Sequence, residues 1–335
     1  MTDSQKLKNI IRTRLHDVLV DAEFSELPNF GRGKVRDHYD LSSNRRLLVT
    51  TDRQSAFDQV LAAVPFKGQV LTSVARFWFD ETKDVVPNHV LEYPDPNVVL
   101  AKKIKMLPVE IVVRDYLTGS TSTAIWSLYD VGNRKPYGIS LPDGMKKNQK
   151  LPSTIITPTT KGIMGEHDVP ISAEEIIEQG ILTQKQWNDI EKAAFGLFAR
   201  GREITEKQGL ILVDTKYEFG YDEEGQLTIA DEIHTPDSSR YWIADTYEES
   251  FEKGEEPDSL DKEFLRLWIS DRCDPYNEPI PDIPDETLID FSARYISLYE
   301  KITGLNFEIS STGEPVRERV RRNLKRFAEK YSRFN

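Results

Sequence analysis

The chain has 335 residues, 38% hydrophobic and 30% charged, with a net charge of −12; this length supports one large core or two smaller ones, and the balance excludes a disordered chain. So acidic a surface argues against generic binding to nucleic acid or anionic membranes, and any phosphorylated ligand must meet locally clustered Lys and Arg. Cys273 is the single cysteine, which excludes an intrachain disulfide and a cysteine-rich metal site; with no apolar leader in MTDSQKLKN and no membrane-length apolar run, the expected location is the cytosol.

Leu7, Ile10, Ile11, Leu15 and Val18 recur at helical spacing, which predicts an opening amphipathic helix packed on its domain. FGRGKVRDHYDLSSNRRLLVTTD follows as Gly31 and Gly33, an alternating strand, a Ser-Ser-Asn turn and an apolar strand over Leu47–Val49. On the alternating strand Lys34 and Arg36 would share one face. Such a hairpin can lay backbone N–H groups and positive charge over a polyphosphate, although GxGK alone more often marks a turn. No GxxxxGK[ST] occurs, so this is not a Walker-type loop. TDRQSAFDQVL gathers Asp52, Arg53, Ser55 and Asp58 around Ala56 and Phe57 and reads as a loop entering a helix, capped by Asp or Ser. VLTSVARFWFDET is then helical, with Leu71, Val74, Ala75 and Trp78 as its buried stripe.

A strand over Glu110–Val113 ends at Arg114 and a glycine turn bearing Ser120, a reasonable anion site because a guanidinium grips carboxylate or phosphate bidentately. Two capping boxes, Ser172 with Glu175 and Thr183 with Gln186, announce helices; Gly180 closes the first, and the second buries Trp187, Ile190, Ala194, Leu197 and Ile204. Gly209–Trp242 reads as two strands joined by the acidic turn Asp222-Glu223-Glu224-Gly225. Asp214, Lys216 and Glu218 fall on one face of the first strand. A loop centred on Glu224-Gly225 would set Asp231 opposite Glu218. Facing carboxylates repel unless a cation lies between them, and Mg²⁺ takes one or two carboxylates plus phosphate oxygens. The plain alternative is a solvated acidic hairpin; the lysine between two acids and the following Asp237-Ser238-Ser239-Arg240 cluster argue against it. Asp285 is expected to cap a helix with Leu288, Phe291, Tyr295, Leu298 and Ile302 as its apolar stripe. PVRERVRRNLKRFAEKY is a basic amphipathic helix, with Val316, Val320, Leu324, Phe327 and Tyr331 on one side, expected to pack on the acidic body rather than on a membrane.

DTKYEFG followed by ADEIHTPDSSRYW resembles the signature of the phosphoribosylaminoimidazole-succinocarboxamide synthase (SAICAR synthetase) family of purine biosynthesis. GKVRD resembles that family's ATP-phosphate element, and DRQSAFD its DRxSAFD substrate motif. VVRDYLTGS is similar to its VVRGYLTGS, with Asp115 where a small or amide residue is expected, and LPSTIITPTTKGIMGEHD to its PxFTPSTKAxxGEHD. SLDKEFLRLWISDRC resembles the helix after DSSRxW, with Asp261, Lys262 and Arg266 near the cleft.

The resemblance implies an α+β fold of two lobes around an ATP cleft, related to ATP-grasp enzymes, with antiparallel sheets flanked by helices. We expect residues 1–108 to form the N-terminal lobe and 109–335 the C-terminal lobe. ATP would be met by Arg32, Gly33, Lys34, Val35, Arg36 and Lys161, with Lys105, Met106 and Leu107 as the hinge at adenine. Substrate would be met by Asp52, Ser55, Asp58, Arg114, Ser120, Asp237, Ser239 and Arg240. Mg²⁺ would sit on Glu218 and Asp231, with Lys216 and Asp214 as catalytic residues and His167-Asp168 ordering the site. The implied reaction joins L-aspartate to carboxyaminoimidazole ribonucleotide (CAIR) through an acyl phosphate, giving SAICAR, ADP and phosphate. It needs neither nucleic acid nor membrane and is compatible with a homo-oligomer. The amine's proton acceptor is left open among a phosphate, Asp214 and water. Two rivals remain: a kinase of the inositol-phosphate-kinase type, which also uses a DxK strand with metal carboxylates, and a nucleotide-sensing protein without turnover.

Overall fold

In the computed structural model, which describes residues 3–57, 59–161, 169–309 and 313–331, the chain opens with α1 (Asp3–Thr13), so Leu15 and Val18 lie beyond the helix predicted to hold them. β1 (Phe30–Arg32), β2 (Arg36–Asp40) and β3 (Arg45–Thr50) form an antiparallel meander. β4 (Arg53–Ala56) and β5 (Gln59–Ala63) form a separate two-stranded hairpin, not the expected loop into a helix. Phe57 takes a left-handed φ of 50° and turns the chain back, so the helix α2 (Lys67–Glu81) starts only after the second strand. Asp58 lies outside the described residues. β6 (Val90–Asp95) and β7 (Val98–Lys102) complete a sheet ordered β1-β2-β3-β7-β6.

The second sheet runs β10-β9-β8-β11-β12, with β13 also paired to β11. Its elements are β8 (Lys105–Leu117), α3 (Ile125–Asp130), β9 (Gln149–Thr160), β10 (Val169–Pro170), α4 (Ala173–Glu178), α5 (Gln184–Glu206), β11 (Leu210–Tyr221), β12 (Leu227–Ala230), β13 (Ser239–Ile243) and α6 (Ala244–Lys253). Both capping boxes are formed. The Ser172 hydroxyl accepts from Glu175 N–H at 3.1 Å and the Glu175 carboxylate from Ser172 N–H at 2.8 Å, with Thr183 and Gln186 matching them at 3.2 and 2.9 Å. Each box satisfies helix donors that would otherwise be orphaned, worth about 1 kcal/mol. α5 buries Trp187, Ile190, Ala194 and Leu197 and packs on β11 and β8, closing one face of the sheet.

The hairpin after β11 has a register one residue away from the expected one: Glu218 pairs with Ala230, not Asp231. Asp222 N–H donates to Gln226 O at 3.1 Å and Gly225, at φ 75°, to Asp222 O at 3.0 Å. The connection is therefore three residues centred on Glu224, and Asp231 falls just past the end of β12 in a left-handed conformation with φ 64°.

The remaining helices are α7 (Glu263–Ser270), α8 (Asp285–Thr303) and α9 (Val316–Tyr331). Asp285 is the first helical residue of α8, after Pro284, rather than its cap. Contacts divide the chain into one unit of Met1–Phe77, His89–Lys103 and Asp261–Asn335 and another of Trp78–Asn88 and Ile104–Leu260. The division differs from the expected one in residues 78–88 and 104–108, which join the second unit, and most of all in residues 261–335, which join the first. The C-terminal difference comes from α9: Val320, Leu324 and Phe327 share one core with Leu19, Ala22 and Phe24 and with Tyr39, Leu47, Val49, Val98 and Leu100 of the first sheet. Around that apolar side, Arg319 pairs with Asp95 at 3.3 Å and Lys330 with Glu92 at 3.0 Å, while Arg321 pairs with Glu26. The basic helix thus packs on acidic partners of its own unit. No helix among the described residues is long and apolar enough to cross a membrane.

Candidate active site

In the first unit the tip between β1 and β2 carries Gly33, Lys34 and Val35. Lys34 lies in this turn and Arg36 opens β2, so the two cations do not share a strand face as expected. Gly33 N–H donates to Arg36 O at 2.9 Å. The buried Arg53 donates to the carbonyls of Gly33 at 2.9 Å and Lys34 at 3.1 Å, and Thr51 N–H donates to that of Val35 at 3.0 Å. Arg53 is itself held by Asp37 at 2.6 Å. These bonds draw inward the carbonyl oxygens that would repel a phosphate, and Lys34 stays exposed at the tip. Nothing in the spacing of DRQSAFD pointed to this task for Arg53. Arg32 pairs with Asp21 at 2.5 Å. Asp52, expected to meet substrate, is wholly buried; its oxygens accept from Leu19 N–H at 2.7 Å and Gly68 N–H at 2.8 Å, and burial pushes its carboxyl up to about 6. That carboxylate is committed within its own unit. Ser55 is half-buried on β4, and Asp261 accepts from Glu263 N–H at 2.8 Å at the start of α7.

In the second unit one face of β11 presents Asp214, Lys216 and Glu218, as the alternation requires. β8 supplies the partners Arg114 opposite Asp214, Val112 opposite Lys216 and Glu110 opposite Glu218. At the Asp214 end, one carboxylate oxygen accepts from Arg114 at 2.7 Å and from Arg240, on β13, at 2.6 Å. Arg114 also donates through Nε to Thr157 Oγ1 at 2.7 Å. All three charged side chains are nearly buried, at 8%, 12% and 4% exposure for Arg114, Arg240 and Asp214. Gly119, at φ 108°, lies against the Arg240 guanidinium: a Cβ there would come within 3.2 Å of Nη2 and 2.6 Å of Ala124 Cβ, so only glycine fits. The glycine turn that carries the half-buried Ser120 is thereby set beside Arg240. Ser239 donates to Thr215 Oγ1 at 2.7 Å, and the turn bearing Asp237 is tied to the strand by Lys216 N–H donating to Ser238 O at 2.9 Å. Tyr137, which sequence reading passed over, is buried and in contact with Arg114.

Asp115, the departure from the expected loop, does not disturb this end. It points to the opposite face of the strand, where it accepts from Thr154 Oγ1 at 2.5 Å and pairs with Arg202 of α5 at 3.0 Å.

At the Glu218 end the signs reverse. Lys216 Nζ sits 2.7 Å from Glu110 and 2.9 Å from Glu218, and Lys161, just past β9, also pairs with Glu218. Burial works against the charge on Lys216, but Glu218, Glu110 and Asp231 outweigh it and hold the ammonium well above the ordinary lysine value. Burial likewise works against the charge on Glu218, and Lys216 and Lys161 overcome it, holding its carboxyl below the usual range. Glu110 is the residue sequence reading missed. It sits in an apolar strand, and only the pairing of residues 110 and 218 reveals it. Lys105, Met106 and Leu107 open β8, the first two exposed and Leu107 buried, with Lys105 and Met106 paired to Tyr221 and Gly220. His167 and Asp168 lie outside the described residues.

Among the described residues no group of three or more His, Cys, Asp or Glu is arranged to hold a metal unaided. Glu218 and Asp231 offer two hard oxygen donors, a set that fits Mg²⁺ where phosphate oxygens and water complete the shell. Three carboxylates sharing two ammonium groups also leave negative charge to be matched there.

A family model described as SAICAR synthetase matches residues 29–283. The chain is similar to the phosphoribosylaminoimidazole-succinocarboxamide synthase of Legionella pneumophila, at 54% identity over 88% of this chain and 94% of that protein. In structure it resembles the SAICAR synthase of Saccharomyces cerevisiae complexed with SAICAR, with a TM-score of 0.75 and 31% identity over 87% of this chain and 100% of that one. It also resembles a type-2 SAICAR synthetase in complex with ADP, with a TM-score of 0.63 and 26% identity over 84% of this chain and 100% of that one.

Proposed function

The chain belongs to the SAICAR synthetase family, and from that premise we propose which of its residues carry each part of the reaction. It is an ATP-dependent ligase that joins L-aspartate to the carboxylate of CAIR, giving SAICAR, ADP and phosphate in purine biosynthesis. A carboxylate is a poor electrophile. Its oxygen therefore first attacks the γ-phosphorus of ATP, breaking the bond to ADP and forming an acyl phosphate. The amine of aspartate then attacks the acyl carbon, phosphate leaves and the amine gives up a proton. Both steps depend mainly on positioning and on neutralising charge.

One observation carries the assignment of roles: a single strand face holds excess positive charge at Asp214 and excess negative charge at Glu218, four residues apart. The Arg114–Asp214–Arg240 end, with Ser120, Asp237 and Ser239 beside it, binds the anionic groups of CAIR. Asp214 orients the two guanidinium groups for this purpose. Lys216 neutralises charge developing on the transferred phosphoryl group or on the substrate carboxylate. Glu218 and Asp231 would hold Mg²⁺, which when bound neutralises the phosphates of ATP. Lys161 contacts ATP phosphates, with Lys105–Leu107 at adenine; Arg32, Gly33, Lys34, Val35 and Arg36 are the first unit's own proposed phosphate-binding element. The cytosol is the proposed location.

The test is an ADP-release assay with ATP, Mg²⁺, CAIR and aspartate, repeated with aspartate omitted. Release that needs aspartate supports the ligase. Undiminished release without aspartate would point to a small-molecule kinase, and no release in the complete mixture would end the reading.

A further inference from the structure

Past β12 the chain takes two left-handed residues within four positions, Asp231 at φ 64° and His234 at φ 50°, and neither is glycine. Such conformations persist only where the surroundings over-determine them. Here they do. His234 is fully buried, with its Nε2 2.5 Å from the Tyr217 hydroxyl, and its carbonyl accepts from the Tyr241 hydroxyl at 2.5 Å. Its ring packs edge-on against Trp78 at 4.7 Å. α5 makes room at Gly201, where a Cβ would fall 2.4 Å from His234 Cε1. Among the described residues His234 Nδ1 finds no hydrogen-bond partner, so the Tyr217 hydroxyl is the ring's one polar anchor.

Tyr217 stands between Lys216 and Glu218 on β11 and points to the opposite face of the sheet. The strand that presents Glu218 on one side therefore grips, on its other side, the loop that carries Asp231. We propose that Tyr217 and His234 are a positioning pair, tying the 231–235 loop to the back of β11 so that Asp231 is held at the spacing from Glu218 that a shared cation requires. This rests on the metal assignment above. Neither residue touches the cation; each acts through Asp231.

The test uses the full chain with ADP and Mn²⁺ as the probe, the bound metal being read from loss of the free Mn²⁺ paramagnetic resonance signal. Tyr217→Phe and His234→Asn, the latter chosen because asparagine accepts a left-handed backbone, should each weaken Mn²⁺ binding about ten-fold, as loss of residues that orient metal ligands does. Affinity for ADP without metal should not change. Ile190→Val, which loosens the core of α5 away from the loop, should leave Mn²⁺ affinity intact. The inference is overturned if Asp231→Asn weakens Mn²⁺ binding and the pair variants do not, or if Ile190→Val weakens it equally. If Asp231→Asn itself binds Mn²⁺ like the parent, the metal assignment falls and takes the inference with it. Should Tyr217→Phe fail to fold, His234→Asn decides.

Discussion

The two ends of one face of β11 behave as opposites. At Asp214 a single carboxylate stands between two guanidinium groups, all nearly buried. At Glu218 three carboxylates share two ammonium groups, and Lys216 is 32% exposed. The strand itself alternates without favouring either sign. What decides the balance is the neighbours: β8 brings Arg114 to one end and Glu110 to the other, while β13 adds Arg240 only at the first. On the proposed roles, the anionic nucleotide needs the positive end and the cation on the triphosphate the negative end, and sheet register supplies both signs a few residues apart.

The largest way to break this contrast is Glu218→Gln. It removes the negative excess at the proposed metal end, and kcat should fall by about 10³- to 10⁴-fold, about 4–5 kcal/mol, in steady-state assays with the fold intact. Next comes Asp214→Asn, which leaves Arg114 and Arg240 facing each other without the carboxylate charge that stands between them. Losing one partner of a buried pair costs about 3 kcal/mol, so urea unfolding should shift by that amount and KM for CAIR should rise more than kcat falls. A shift in kcat alone would contradict the division of roles between the two ends. Glu110→Gln should cost about ten-fold in kcat, since Lys216 keeps Glu218 but loses one of its two closest carboxylates; unchanged kinetics would reduce Glu110 to scaffold.

A pH effect touches only stability, leaves neutral pH untouched and sharpens the contrast from behind, because a buried histidine backs the Glu218 end. Burial pushes His234 down to about 3 from an ordinary 6.5. A base whose folded value is depressed contributes stability that is complete above 6.5 and is lost as pH falls toward 3. Unfolding free energy should drop by up to about 1.4 kcal/mol per pH unit in that window, and His234→Asn should flatten that part of the slope in chemical denaturation.

What the sequence made legible was local. The capping boxes at Ser172 and Thr183 formed as read because each is closed by a residue three positions away. The shared face of Asp214, Lys216 and Glu218 followed from alternation alone. What failed depended on one-residue choices or on distant pairing. The stretch DEEGQ admits two loop centres, and the left-handed Gly225 selects the one that moves Asp231 off the position opposite Glu218. The turn at Phe57 hid a hairpin because a left-handed phenylalanine leaves no compositional mark. Glu110 and Arg53 gain their tasks only when residues 110 and 218, or 53 and 33, are brought together by folding.

The core under α9 joins Leu19, Ala22 and Phe24 to Val320, Leu324 and Phe327. During synthesis the first sheet must therefore wait, with an apolar side bare, until the ribosome has delivered those late residues more than 200 positions afterwards, whereas residues 104–260 emerge as one continuous piece that can close earlier. A nascent chain halted before Val316 would hold that sheet uncovered, and this is the stage at which a chaperone has most to grasp.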